Sequence, residues 1–196
     1  LHDDESGVPK PAGIIIEVVQ GEGGNFVAPE RWMQELRRIT QEQDIPLIVD
    51  EVQTGFARTG KWFGFEHFGV TPDVVTMAKG MGNGMPIGAL WARREVAGVF
   101  APGDHGSTFS GTALATSAVL ATIDEMKRID APGLAVEQGA RLRAGLESIT
   151  ALGCVTGLRA DSLGIRGDSC TRTNIKFISL RDERWRNPAT QKQRER

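Results

Sequence analysis

Two residues of this sequence combine a reactive type with a shared setting. Lys79 closes the run Pro72-Asp-Val-Val-Thr-Met-Ala78 and opens the glycine cluster Gly80-Met-Gly-Asn-Gly84. Asp50 closes Pro46-Leu-Ile-Val49 and is followed by Glu51, Val52 and Gln53. Continuous apolar runs of this length read as strands buried on both faces. Ligands of open α/β sheets sit just beyond the carboxyl ends of such strands. A lysine placed there can be partly desolvated, which lowers its pKa and makes its amine a usable nucleophile toward a carbonyl. A carboxylate in the same place either loses hydration at a cost or meets a cation. Glu17, inside the apolar run Gly13-Ile-Ile-Ile-Glu-Val-Val19, and the hydroxyl pair Ser107-Thr108 add acceptors and donors to the same inventory.

The elements that must carry these groups follow from the chain pattern. The run 13–19 is a strand, and Gln20-Gly-Glu-Gly-Gly24 after it marks a turn where backbone comes close to something. Pro29 and Glu30 open a helix whose expected buried stripe is Trp32, Leu36, Ile39 and Gln43, and Asp44-Ile-Pro46 stops it. The strand 46–50 completes a β-helix-β unit suited to parallel pairing. Strands at 72–78 and 87–92 follow, then a loop at 102–111, then helices over about 112–129 and 133–150 separated at Pro132-Gly133. The pattern predicts an α/β domain, three-layered α/β/α with a mostly parallel sheet.

Several chemistries are excluded. Gly55-Phe-Ala-Arg-Thr-Gly-Lys61 nearly spells a phosphate-binding loop, but Trp62 stands where a magnesium-binding Ser or Thr is needed. The glycines of 80–88 do not make a dinucleotide-binding pattern, since Ile87 occupies the third glycine's place. His2, His67 and His105 share no ligand spacing with one another or with Cys154 and Cys170, so no metal is expected. Ser107 lacks the strand-to-helix setting of a hydrolase nucleophile. What remains is Lys79 and Asp50 with Gln53, Ser107 and Thr108. That set suggests a lysine-bound pyridoxal phosphate whose ring nitrogen needs an acidic partner. Residue types alone leave plainer readings beside it: a surface lysine after a strand, and an Asp50 that caps a helix or pairs with Arg58.

The motifs themselves resemble the class III pyridoxal-phosphate-dependent aminotransferases. Glu17-Val-Val-Gln-Gly-Glu-Gly-Gly24, Leu47-Ile-Val-Asp-Glu-Val-Gln-Thr-Gly-Phe-Ala-Arg-Thr-Gly-Lys61, Thr71-Pro-Asp-Val-Val-Thr-Met-Ala-Lys-Gly80 and His105-Gly-Ser-Thr-Phe109 stand in the family's order and spacing over roughly residues 7–158. The resemblance implies the catalytic-lysine half of a fold-type I large domain. It implies that Lys79 holds the cofactor covalently and, once substrate displaces it, moves the proton between substrate carbon and cofactor. Asp50 would keep the ring nitrogen protonated, Val52 would pack on the ring, and Gln53 would bond the phenolic oxygen. Ser107 and Thr108 would reach the cofactor phosphate of a partner subunit, which implies a homodimer. Glu17 would lie near the substrate and help distinguish amino donor from dicarboxylate acceptor. The implied reaction moves an amino group from an ω-amino or diamino acid, acetylornithine-like, to 2-oxoglutarate. Glu51 receives no role from the resemblance and is expected to face away from the ring.

The resemblance also implies gaps. The family's main phosphate-binding loop, ring-stacking aromatic and carboxylate-binding arginine have no counterpart here, and the family's small carboxyl-terminal domain is not matched after Arg159. The expected organisation is therefore a partial large domain, 1–158, and a basic, non-native or poorly ordered tail, 159–196, where Lys and Arg outnumber Asp and Glu. A truncated, catalytically inactive product is the competing expectation, with a nucleic-acid arm a weaker one. The chain as a whole is 196 residues with 24% charged residues and a net charge of −2. It has no apolar run near the roughly 20 residues that span a bilayer and no signal-like amino terminus. The two cysteines offer no framework and suit a reducing compartment. A cytoplasmic enzyme without membrane or nucleic-acid partners is expected.

Overall fold

The computed structural model of the chain describes residues 9–22, 26–108 and 111–150. His2, both cysteines and the whole of 159–196 lie outside the described residues. Strand β1 (Ile14–Glu17), helix α1 (Glu30–Glu42) and strand β2 (Leu47–Asp50) form a parallel unit in register, with Glu17 opposite Asp50. A 3₁₀ turn at Gly64–Phe68 precedes β3 (Val74–Met77), and another at Lys79–Met81 precedes β4 (Ala89–Ala92). Helices α2 (Arg94–Ala97), α3 (Ala113–Arg128) and α4 (Ala131–Thr150) complete the described chain.

The sheet order is β1-β2-β3-β4, and β2 and β3 are also parallel. β4 returns antiparallel to β3, with Thr76 opposite Leu90. The 78–88 connection folds back through tight turns, Gly82 N–H to Lys79 C=O at 3.1 Å and Met85 N–H to Gly82 C=O at 3.0 Å, and has no crossover helix with which to make a parallel pair. The mostly parallel sheet with flanking helices is that of an α/β domain.

One face of the sheet is the core. Ile14, Ile16, Leu47 and Val49 share that face and pack with Met33 and Leu36 of α1 and with Val18, Val19, Phe65, Phe68 and Val70. The helix starts as expected: Pro29 is extended and Glu30 lies in the first turn. It ends where Asp44 takes a left-handed φ of 49°. Its buried face differs from the expected stripe. Trp32 is 50% exposed, whereas Met33 and Thr40 are fully buried. The inward stripe is Met33, Leu36, Arg37 and Thr40, rotated by one residue. In this orientation the Arg37 guanidinium reaches Asp73 while Met33 and Leu36 join the core.

Asp73 is a polar hub at the other end of the strands. Its carboxylate accepts from Arg37 at 2.7 and 3.1 Å and from the Leu47 N–H at 2.8 Å, and Arg93 lies 3.0 Å away. Its backbone bonds Leu47 C=O and Arg93 N–H. One buried residue thus ties α1, β2, β3 and the exit of β4 together. The helical break after α3 also differs from expectation. It falls at Asp130, with φ 49°, and Pro132 and Gly133 sit in the first turn of α4. Proline's missing N–H costs nothing there, because first-turn N–H groups have no intrahelical acceptor.

Candidate active site

Strand register assembles the site. Pairing puts Glu17, Asp50 and Thr76 side by side across β1, β2 and β3, at the carboxyl ends of three parallel strands. Paired residues point to the same side of a sheet, so the three side chains share one face, opposite the α1 core. Toward its edges this face is open: Ile15 is 63% and Leu90 56% exposed.

Lys79 stands two residues past the end of β3 and has φ 46°. A lysine in the left-handed region is uncommon and strained, and such residues cluster at functional sites. The bend turns the chain out of the strand at the position the sequence singles out. The Lys79 amine donates to Gln53 Oε1 at 3.0 Å. Gln53 borders Gly21, where a Cβ would come within 3.1 Å of Gln53 Oε1 and 3.3 Å of Glu17 Oε2. Glu17 in turn accepts from the Gly21 N–H at 2.8 Å. A side chain at 21 would press on the ends of both Gln53 and Glu17, and glycine leaves them their places. Asp50 Oδ1 accepts the Val52 N–H at 2.9 Å, a local turn that fixes the carboxylate at the strand end. The structure gives Asp50 no ion pair with Arg58, which is exposed.

Glu17, Gln53 and Lys79 are therefore brought together, with Asp50 alongside Glu17 in register and Val52 half-buried next to it. Ser107 and Thr108 stand exposed on the 101–108 segment and take no part in the contacts that join Glu17, Gln53 and Lys79.

Glu51 has a definite place that the sequence left unassigned. Alternation along β2 sends it to the side of Leu47 and Val49, away from Asp50, and it is fully buried. Its carboxylate accepts from the Thr54 hydroxyl at 2.6 Å, the Gly64 N–H at 2.9 Å and the Phe65 N–H at 2.8 Å. Burial pushes this carboxyl above the usual glutamate range, a rise that the three hydrogen bonds reduce without cancelling. The residue pins the 54–65 loop against the end of β2, and so holds the segment that carries Gln53. Alternation could have told from sequence that Glu51 faces the core, and Thr54 is a local partner; Gly64 and Phe65, more than ten residues on, could not be read.

Removing that carboxylate would strand three buried donors. Glu51→Leu should therefore lose roughly 3 kcal/mol of unfolding free energy, about 1 kcal/mol or more per orphaned donor. Glu51→Gln, which keeps one acceptor oxygen, should lose less. Urea unfolding with an unchanged slope would report both, and a neutral Glu51→Leu would show that the loop is held otherwise.

The fold and site together define an α/β enzyme domain with a lysine and a carboxylate at neighbouring strand ends. Comparison with known proteins narrows that class. The sequence profile of the aminotransferase class-III family matches residues 5–165, and the chain belongs to that family. It is 52% identical over 129 residues to the acetylornithine aminotransferase of Aquifex aeolicus, covering 66% of this chain and 33% of that protein. It is 44% identical over 151 residues to the diaminobutyrate–2-oxoglutarate aminotransferase of Rhizobium meliloti, covering 77% and 32%. Among solved structures, an ornithine aminotransferase from Toxoplasma gondii superposes with a TM-score of 0.72 at 31% identity, covering 78% of this chain and 37% of that one. The chain spans about a third of the length of the curated relatives it matches.

The family's cofactor is pyridoxal phosphate, and the residues present fit it. At the strand ends stand an amine (Lys79), a carboxyl (Asp50) and an amide (Gln53), the group types that a carbonyl, a ring nitrogen and a phenolic oxygen would call for. The Thr76 hydroxyl, in the same row as Asp50, is buried without a hydrogen-bond partner among the described residues.

Proposed function

We propose that this chain supplies the lysine-bearing part of an aminotransferase site. The site would move an amino group from an ω-amino or diamino acid, acetylornithine-like, to 2-oxoglutarate. The observation that carries the reading is Lys79, bent out of β3 at a left-handed φ with its amine 3.0 Å from Gln53 and the Glu17–Asp50 row beside it. Pyridoxal phosphate, when bound, supplies a protonated ring that draws negative charge from the substrate carbon. Lys79 would hold the cofactor at its carbonyl and would move the proton of the substrate carbon. Asp50 would accept the ring N–H, and Gln53 would orient the group from the phenolic side. Glu17, with one oxygen committed to Gly21, keeps the other for the distal ammonium of a donor.

Ser107 and Thr108 belong to the phosphate site of a partner subunit in this reading, which makes the working unit a homodimer. Residues 1–158 form the large-domain part and 159–196 a basic tail, and the enzyme is cytoplasmic without nucleic-acid or membrane partners. No helix among the described residues is long and apolar enough to cross a membrane.

A second reading has its own support. The chain spans about a third of its relatives' length, and the face bearing Asp50 is open at Ile15 and Leu90. On that reading the chain has the lysine site and does not turn over by itself. Titration with pyridoxal phosphate followed by N-acetylornithine, 2,4-diaminobutyrate or 4-aminobutyrate, with visible absorbance recorded, separates the two. A cofactor band that bleaches with acetylornithine and returns with 2-oxoglutarate supports transamination by the chain. A band that no donor changes supports the second reading, and no band in the chain sinks both.

A further inference from the structure

Thr76 is the residue of the Glu17–Asp50–Thr76 row that the proposed reaction leaves unused. Its hydroxyl is buried and has no hydrogen-bond partner among the described residues. Its register partner on β2 is Asp50, and its own C=O accepts the Glu51 N–H at 3.0 Å, so the two strand ends are locked side by side. A buried hydroxyl without a partner is a net cost, and valine has the same shape and at least the same preference for a strand. Stability alone would therefore favour valine at this position. A threonine here makes sense if its hydroxyl finds an acceptor when the site is loaded.

The nearest acceptor in register is the Asp50 carboxylate. Among the described residues its donor is the Val52 N–H, on Oδ1, and a carboxylate has room for several more. We infer that Thr76 is a positioning residue for Asp50, its hydroxyl donating to the Asp50 carboxylate when that carboxylate engages the cation of a bound pyridinium ring. The inference rests on the pyridoxal phosphate reading above. The two residues are paired on neighbouring strands, so their side chains stand next to each other on one face of the sheet. The bond does two things. It favours the ionised carboxylate, and with the Val52 N–H it fixes the carboxylate plane so that the remaining lone pairs point at the ring nitrogen. No proton is transferred; Thr76 acts only through Asp50.

The test sets stability against binding. In Thr76→Val the urea midpoint of the cofactor-free chain should stay the same or rise, because an unpaired buried hydroxyl has gone. Its dissociation constant for pyridoxal phosphate, read from visible absorbance, should weaken about tenfold, the worth of one hydrogen bond to a charged group. The pH at which the bound cofactor's absorbance changes should shift as well, which a purely structural residue would not cause. Thr76→Ser should restore affinity to within about threefold, since it returns the hydroxyl with less packing. Wild-type affinity and pH titration in Thr76→Val would overturn the inference while leaving the cofactor reading intact. So would an affinity loss matched by a lower urea midpoint and not rescued by serine. If the wild-type chain binds no pyridoxal phosphate and Lys79→Ala behaves identically, the cofactor reading fails and the inference fails with it.

Discussion

Replacing Lys79 by alanine should reduce to background the covalent capture of pyridoxal phosphate by the chain. With borohydride as the trap, the wild-type label should map to the peptide containing Lys79. The rate of any donor-driven change in the cofactor spectrum should fall about 10²–10⁴-fold, the usual contribution of a positioned proton-transfer group. The left-handed backbone at Lys79 and the 3.0 Å bond from its amine to Gln53 make the position hard to replace from elsewhere. Lys61 illustrates why. Its amine donates to the Glu66 C=O at 2.9 Å, so it is engaged in the loop and is no substitute. Lys79→Arg should fail nearly as completely. It keeps a cation and a donor for Gln53, but a guanidinium stays protonated and does not attack carbonyls. Label that moved to Lys61 in Lys79→Ala, with the spectrum retained, would contradict the assignment.

Asp73→Ala should destabilise the chain by about 3–5 kcal/mol, the cost typical of breaking a buried ion pair from one side. The loss comes from what remains. Arg37, 11% exposed, would be a nearly buried cation without its two-point partner, and the Leu47 N–H at the head of β2 would be unpaired. Arg93 is 44% exposed and would find water instead, so its share is small. Asp73→Asn should fall between, because it keeps the shape and one acceptor. Chemical denaturation of the three proteins side by side would give the order, and an Asp73→Ala chain as stable as the parent would remove the hub from the account of the fold.

The same residue sets a pH dependence. Burial alone would raise the Asp73 carboxyl, but the Arg37 hydrogen bonds, the Leu47 N–H and the charges of Arg37 and Arg93 outweigh it and leave the group below the ordinary aspartate range. A carboxyl lowered by folding contributes stability above its unfolded pKa of about 3.9 and loses it as pH falls through the folded value. Glu51 has the opposite sign. Its carboxyl is raised, so its contribution is complete below the usual glutamate pKa of about 4.3 and diminishes as pH rises through the folded value. Removing Asp73 should therefore flatten the acid limb of the stability curve, and Glu51→Gln should flatten the limb just above it.

The reactive set and the succession of strands along the chain were legible in the residues alone. Apolar runs ending in Asp50 and Lys79, glycines where backbone must come close, and a proline-opened helix are local signals, and the parallel unit and Lys79 at a strand end follow from them. Tertiary structure alone decided which residues share a face and which distant groups meet. Register put Glu17, Asp50 and Thr76 in one row, and a one-residue slip would have pointed each of them into the core. Gly64 and Phe65, which bind Glu51, lie in a loop whose path no local pattern records, and α1 is turned so that Arg37 meets Asp73 and Met33 is buried instead of Trp32. Periodicity reports that a helix or strand has an apolar side. Which side faces inward is chosen by pairing a few buried charges, and that pairing exists only once the chain has folded.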